Sequence, residues 1–321
     1  MSIDRLPVEG HVATVSEIRA LINWESHMTD DNLKGIIPAV PTPVSDKGEV
    51  DIGRFLDFCR YLFDKGAYGL NITGTTGEAT SLSRDQRLDV IAALAASDLD
   101  KSRMIVGTGA AAVADAVALA HAVADAGFAG ALVLPPFYFK DPSNEGLRRY
   151  FEAILSKAPG LDIYLYNFPA LSGIKFTTEL VALLVNAFDG SIKGLKDSSG
   201  DLDYAAEIAK SFPRLKVFPS SEAVLLQARR GAFAGSISAT ANLSVGECAA
   251  AFRDGDAAAL DRAVRVRQLI AKGPLVPRIK AVISGRLSDP VWANTLPPYA
   301  QLDRAEAQAL LAQVDDLAGS R

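Results

Sequence analysis

Lys196 stands near the end of Ile192-Lys193-Gly194-Leu195-Lys196-Asp197-Ser198-Ser199-Gly200, a short apolar run that closes in turn chemistry. The pattern predicts a strand that delivers a lysine to the edge of a loop. At the mouth of an apolar pocket, burial favours the neutral amine, the form that attacks carbonyl carbon. A surface lysine at a strand end has the same local pattern, so this stretch by itself does not separate the two. Upstream, Asp162-Ile163-Tyr164-Leu165-Tyr166-Asn167-Phe168-Pro169 repeats the strand-to-loop edge, with Tyr166 at the strand end. A Schiff-base lysine needs a proton carrier beside it, and a phenol can serve. A third segment, Gly74-Thr75-Thr76-Gly77-Glu78, offers consecutive backbone N–H groups and two hydroxyls, suited to a small anion such as a carboxylate. An ordinary glycine turn with threonine caps has the same residues. Together the three segments describe a site for a 2-oxo acid. The lysine condenses with the ketone, the cradle holds the carboxylate and the tyrosine moves protons.

The elements that must position these groups follow a regular rhythm. Apolar strand patterns fall at 35–40, 69–72, 104–107, 130–134, up to 166, up to 196, 216–219 and 234–238. Helical patterns alternate with them at 51–65, 84–96, 113–126, 144–157, 178–186, 202–211 and 222–230. In the second of these helices Leu88, Ile91, Ala92 and Leu94 are expected to face inward. Strands alternating with helices point to an α/β fold, a closed parallel (β/α)8 TIM barrel. An open doubly wound sheet is the alternative. It is weakened by the count of eight and by the lack of a G-x-G-x-x-G after the first strand. Further helices near 243–252, 256–271, 276–285 and 303–318 complete the barrel's last helix and form a C-terminal appendage. The expected organisation is an N-terminal extension over 1–32, a catalytic barrel over 33–241 and a C-terminal helical region over 242–321. The extension lacks the pattern of a secretory signal. It is expected to pack on the body or on a neighbouring subunit, and Met28 is a possible alternative start.

Composition excludes several classes. The chain has 321 residues, 49% of them hydrophobic, enough for a sizeable core. A net charge of −5 disfavours nucleic-acid binding and suits a protein that handles small molecules. No apolar run is long enough to span a membrane. Cys59 and Cys248 lie far apart and form no metal or redox motif, and His11, His27 and His121 are scattered. No metal and no cofactor are expected, and a reducing cytoplasm is the simplest location.

In a barrel of this kind catalytic groups stand at the C-terminal ends of strands. Those ends carry Thr75 and Thr76, Pro135-Pro136-Phe137-Tyr138, Tyr166, Lys196, Ser220-Ser221-Glu222 and Ile237-Ser238. Here the chain resembles the family of dihydrodipicolinate synthase and N-acetylneuraminate lyase, class I pyruvate-dependent aldolases on (β/α)8 barrels. The likeness runs from about Leu33 to near the C-terminus. It rests on Gly74-Thr75-Thr76-Gly77-Glu78, Tyr166-Asn167-Phe168-Pro169, Gly194-Leu195-Lys196 and Gly235-Ser236-Ile237-Ser238-Ala239-Thr240-Ala241-Asn242. The resemblance implies that Lys196 is the Schiff-base lysine and Tyr166 the general acid/base, with Thr75 and Thr76 binding the pyruvyl carboxylate and Ile237 also at the substrate. It implies that Tyr138 is lent across a subunit interface to a Thr-Tyr-Tyr relay. A homotetramer built as a dimer of dimers is therefore expected.

Departures from the family pattern bear on the substrate. The synthase carries an arginine shortly after its Tyr-Asn-x-Pro, where this chain has Leu171, and a leucine cannot pair with a carboxylate. Leu171, Ser198 and Glu222 are expected to meet the distal substrate, with Glu222 accepting from hydroxyls. Ser221 and Ala239 depart from the neuraminate lyase pattern. The expected activity is that of a Schiff-base lyase acting on a hydroxylated 2-keto-3-deoxy sugar acid, with pyruvate as the enamine partner and an aldehyde as the other. Dihydrodipicolinate synthase and a 2-keto-3-deoxy acid dehydratase are the alternatives within the family. A non-catalytic 2-oxo-acid sensor is the alternative outside enzymes.

Overall fold

The computed structural model describes residues 33–188 and 190–318, so the expectations for the N-terminal extension and Met28 lie outside the described residues. Eight parallel strands alternate with helices: β1 Gly35–Pro38, β2 Leu70–Ile72, β3 Met104–Gly107, β4 Gly130–Val133, β5 Ile163–Asn167, β6 Ile192–Asp197, β7 Lys216–Pro219 and β8 Gly235–Ser238. Each of β2 to β6 pairs with the next, and β1 pairs with β8. Two seams close the ring. Tyr68 N–H donates to Ile36 O at 3.0 Å and Val40 N–H to Asn71 O at 2.9 Å, while Ala234 N–H donates to Val217 O at 3.0 Å.

A period of two sorts the strand residues. Ile36, Leu70, Ile72, Val106, Leu165, Leu195 and Val217 belong to the large core between barrel and helices. Ile37, Ile105, Leu132, Tyr164, Tyr166, Phe218 and Ile237 fill a separate cluster inside the barrel. Leu195 faces outward, so its neighbour Lys196 must face inward, level with Tyr166 on one side and Phe218 on the other. Gly194, the next inward position below Lys196, has a steric reason. A Cβ there would lie 2.7 Å from the Tyr164 ring, so glycine lets that ring fill the barrel.

The barrel helices are α1 Ile52–Asp64, α2 Arg84–Ala96, α3 Val113–Asp125, α4 Asn144–Leu155, the short α5 Pro169–Ser172, α6 Thr178–Ala187, α7 Leu202–Ser211, α8 Leu225–Arg229 and α9 Val245–Asp254. Their starts follow capping chemistry. Asp51, Ser83, Ser143, Thr177 and Asp201 each accept an N–H from the first turn, and Ser83 with Gln86 forms a full capping box. The expected helix over 222–230 begins instead as a 3-10 turn at Glu222–Val224. The inward face of α2 also differs from expectation. Arg87, Val90, Ile91 and Leu94 are buried, Leu88 is half-buried and Ala92 is exposed. The Arg87 guanidinium donates to Gly107 O at 2.8 Å and Gly109 O at 3.3 Å, satisfying carbonyls where β3 ends. A polar group so paired can take a buried position.

Beyond α9 come α10 Ala257–Ile270, α11 Leu275–Leu287 and α12 Arg304–Ala318. Leu33 to the C-terminus forms one structural unit. A fully buried ion pair joins the segment after β2 to α11: Lys280 Nζ lies 2.6 Å from Glu78 Oε2. Lys280 also donates to Thr42 O at 2.9 Å, and Glu78 Oε1 accepts Leu296 N–H at 2.6 Å. Burial holds the Lys280 ammonium below the ordinary lysine range, against the pull of Glu78. Removing one partner strands the other charge without water. Lys280→Met is therefore expected to lower stability by about 3–5 kcal/mol in urea unfolding, with part recovered in the Glu78→Leu/Lys280→Met double variant. A loss below about 1 kcal/mol would contradict this.

Candidate active site

The turn after β2 is bent by two non-glycine residues with positive φ, Thr73 at 45° and Glu78 at 57°. A β-branched residue there is strained by about 1–3 kcal/mol. The strain is offset by the Thr73 hydroxyl bond to Gly107 O at 3.1 Å and by the ion pair of Glu78. Within the turn Gly77 N–H reaches Gly74 O and Glu78 N–H reaches Thr75 O, both at 3.1 Å. The N–H groups of Thr75 and Thr76 donate to no group among the described residues, and both residues line a cavity of about 350 Å3. Unpartnered, neighbouring donors at a cavity wall are what a carboxylate requires.

Lys196 reaches the same cavity from β6. It is 4% exposed, and its Nζ lies 4.3 Å from the centre of the Tyr166 ring without a hydrogen bond to the described residues. Tyr166 reaches back to the cradle, with its hydroxyl 3.2 Å from Thr75 Oγ1. The structure thus brings Lys196, Tyr166, Thr75 and Thr76 together, and places Ser198, Ile237 and Leu171 in the same cavity walls. Residues flanking Lys196 lock its strand. Asn167 Nδ2 donates to Asp197 Oδ1 at 2.6 Å, Ser199 Oγ donates to Asp197 Oδ2 at 2.8 Å, and Asn167 Oδ1 accepts Phe176 N–H at 3.0 Å. Burial pushes the Asp197 carboxyl above its ordinary value, despite the opposing bonds from Asn167 and Ser199.

One sequence expectation meets a different geometry. Glu222 does not line the cavity. Its carboxylate is fully buried, where Oε1 accepts from Ser238 Oγ at 2.6 Å and from Thr240 Oγ1, and Oε2 faces Arg267 Nη1 at 3.1 Å. The 3-10 turn, with Ser221 as its cap, directs the side chain toward β8 rather than toward substrate. Tyr138 is not in the cavity walls of its own chain. It is 75% exposed, with its ring in edge contact with Phe139 at 5.3 Å.

Sequence reasoning missed the wall residues that come from beyond the barrel: Arg267, Leu275, Val276 and Tyr299. Arg267 had a usable signal. It follows Ala263 by four and precedes Ile270 by three, so it sits on the apolar face of α10, where both neighbours are buried. The expected set of Leu171, Ser198 and Glu222 contained no arginine, and this residue adds one to the walls. The walls therefore hold two basic side chains, Lys196 and Arg267, and no carboxylate.

The sequence model of the dihydrodipicolinate synthetase family matches residues 32–316. An uncharacterized DapA-like lyase of Chloroflexus aurantiacus is 34% identical over 87% of this chain and 95% of its own length. A crystal structure of dihydrodipicolinate synthase from Agrobacterium tumefaciens matches with a TM-score of 0.81 and 28% identity, over 88% of this chain and 99% of that one. So does the crystal structure of YagE with pyruvate, a prophage protein of the dihydrodipicolinic acid synthase family from E. coli K12. Its TM-score is 0.79 at 27% identity, over 89% of this chain and 98% of that one. Fold and relatives together define a lyase of the class I aldolase kind on a TIM barrel. The chain belongs to the dihydrodipicolinate synthetase family. Among the described residues, no helix is long and apolar enough to cross a membrane and no cluster of ligating side chains is placed to hold a metal.

Proposed function

We propose that the chain is a Schiff-base lyase that joins pyruvate to, or releases it from, a small hydroxylated aldehyde. One observation carries the reading: the Lys196 amine, the one lysine in the cavity walls, stands over the Tyr166 ring beside the cradle with its unpartnered N–H groups. The pyruvate complex of YagE supports the choice of 2-oxo acid. The carboxylate is held by Thr75 and Thr76, and Lys196 attacks C2. Loss of water leaves an iminium. Its positive nitrogen takes the electron pair as the C3–C4 bond breaks, giving an enamine and an aldehyde. Tyr166, bonded to Thr75, takes the proton from the C4 hydroxyl in cleavage and returns it in condensation. The hydroxyls of Ser198, Ser220 and Tyr299 make no hydrogen bond to the described residues and line the cavity, so they are available to the hydroxyls of the partner. The test is product formation from pyruvate with glyceraldehyde and with aspartate semialdehyde. Hydroxylated aldehydes are expected to be turned over, and efficient turnover of aspartate semialdehyde in preference to every hydroxylated aldehyde, carboxylated ones included, would restore the synthase reading.

Tyr138 belongs to the same proposal. It extends the Thr75–Tyr166 pair from a neighbouring subunit of a homotetramer, which its exposure and its absence from its own cavity support. Mixing inactive Tyr138→Phe and Lys196→Ala chains is then expected to restore activity. A hybrid dimer holds one site with both an intact lysine and a partner's tyrosine. Mixtures as inactive as the parents, after confirmed subunit exchange, would refute the shared site.

A further inference from the structure

We propose that Arg267 selects a partner aldehyde whose far end is a carboxylate, so that the 2-oxo acid made or cleaved is a hydroxylated diacid; this rests on the lyase reading above. Arg267 enters the cavity from α10, outside the strand ends that hold the reacting groups. Its Nη1 carries every bond the guanidinium makes to the described residues: Glu222 Oε2 at 3.1 Å, and Ser238 Oγ and Thr240 Oγ1 at 3.3 Å each. The Nε and Nη2 groups have no partner there, and the side chain remains 32% exposed. These two nitrogens form the parallel N–H edge that matches a carboxylate in bidentate fashion.

Glu222 explains why that edge is ready for use. Its buried carboxylate is held by Ser238 and Thr240, and it fixes the Nη1 end of the guanidinium. Little side-chain freedom is then left to lose on binding. The pair is formally neutral, so the attraction comes from two directed, charge-assisted N–H groups in a cavity without wall carboxylates. The cradle of Thr75 and Thr76 serves the pyruvyl carboxylate. Arg267 is left for a second one, with Ser198, Ser220 and Tyr299 available to the hydroxylated stretch between. A cavity of about 350 Å3 accommodates a small molecule of this kind.

The test pairs two three-carbon aldehydes with pyruvate: glyceraldehyde, and 2-hydroxy-3-oxopropanoate, which has a carboxylate in place of the terminal hydroxymethyl. The carboxylated aldehyde is expected to give a kcat/KM about 10- to 100-fold higher, the range for charge-assisted hydrogen bonds, chiefly through KM. In Arg267→Gln that ratio should fall close to one. Borohydride trapping of pyruvate on the same preparation reports a folded site. If Arg267→Gln does not fold, Arg267→Lys keeps a cation beside Glu222 while removing the planar edge, and its ratio should fall at least severalfold. Turnover of glyceraldehyde with no gain for the carboxylated aldehyde, or a gain that survives in a folded Arg267 variant, overturns the role of Arg267 and leaves the lyase reading standing. Failure of wild-type chain to trap pyruvate overturns both.

Discussion

Lys196→Ala is expected to lower turnover by on the order of 10⁴–10⁶-fold, the scale seen when a covalent nucleophile is removed. Borohydride reduction in the presence of pyruvate should add one pyruvyl mass per wild-type chain, on Lys196, and none to the variant. No other lysine among the described residues can take over. Lys140 lies outside the cavity walls, with its Nζ bonded to Phe137 O at 2.5 Å and Ser172 O at 3.1 Å. Lys280 is fully buried against Glu78. The Lys196 amine makes no hydrogen bond to the described residues, so its removal leaves no protein group unpaired. Activity within tenfold of wild type, or a label on a different lysine, would sink the covalent mechanism.

Tyr166→Phe should cost about 10²–10⁴-fold in turnover, the usual worth of a positioned acid/base. The substitution is clean because the ring survives. The face beneath Lys196 and the packing on Phe168 are kept, while the hydroxyl 3.2 Å from Thr75 Oγ1 is lost. Trapping of pyruvate should persist better than turnover, since the proton relay matters most when the C3–C4 bond is made or broken. A Tyr166→Phe enzyme with near wild-type kcat would remove Tyr166 from the relay.

The barrel was legible because each strand is a short apolar run and each helix has a cap. β3, β7, α2 and α7 occupy the spans their patterns predict. Lys196, Tyr166 and the Thr75–Thr76 turn were legible because strand ends can be read along the chain. What escaped depends on contacts between distant segments. Glu222 stands at a strand end like the others, yet Ser238, Thr240 and an arginine 45 positions later take its carboxylate. Leu275, Val276 and Tyr299 reach the cavity only because the helices after β8 fold back over the barrel mouth. The buried Glu78–Lys280 pair was invisible for the same reason. A lysine inside an apolar helix reads as an anomaly until its partner is known.

That ion pair has a consequence for the order in which the protein is built. Its members are separated by 202 positions, and Glu78 sits at the end of the turn that holds Thr75 and Thr76. Contacts so remote in sequence must pay loop-closure entropy before they contribute. A nascent chain that has emerged only as far as β8 already contains Lys196, Tyr166 and all eight strands, but Glu78 has no counter-ion. The pair at the end of that turn forms only when α11 docks. Release of the last quarter of the chain is therefore the step at which the Glu78 end of that turn gains its anchor.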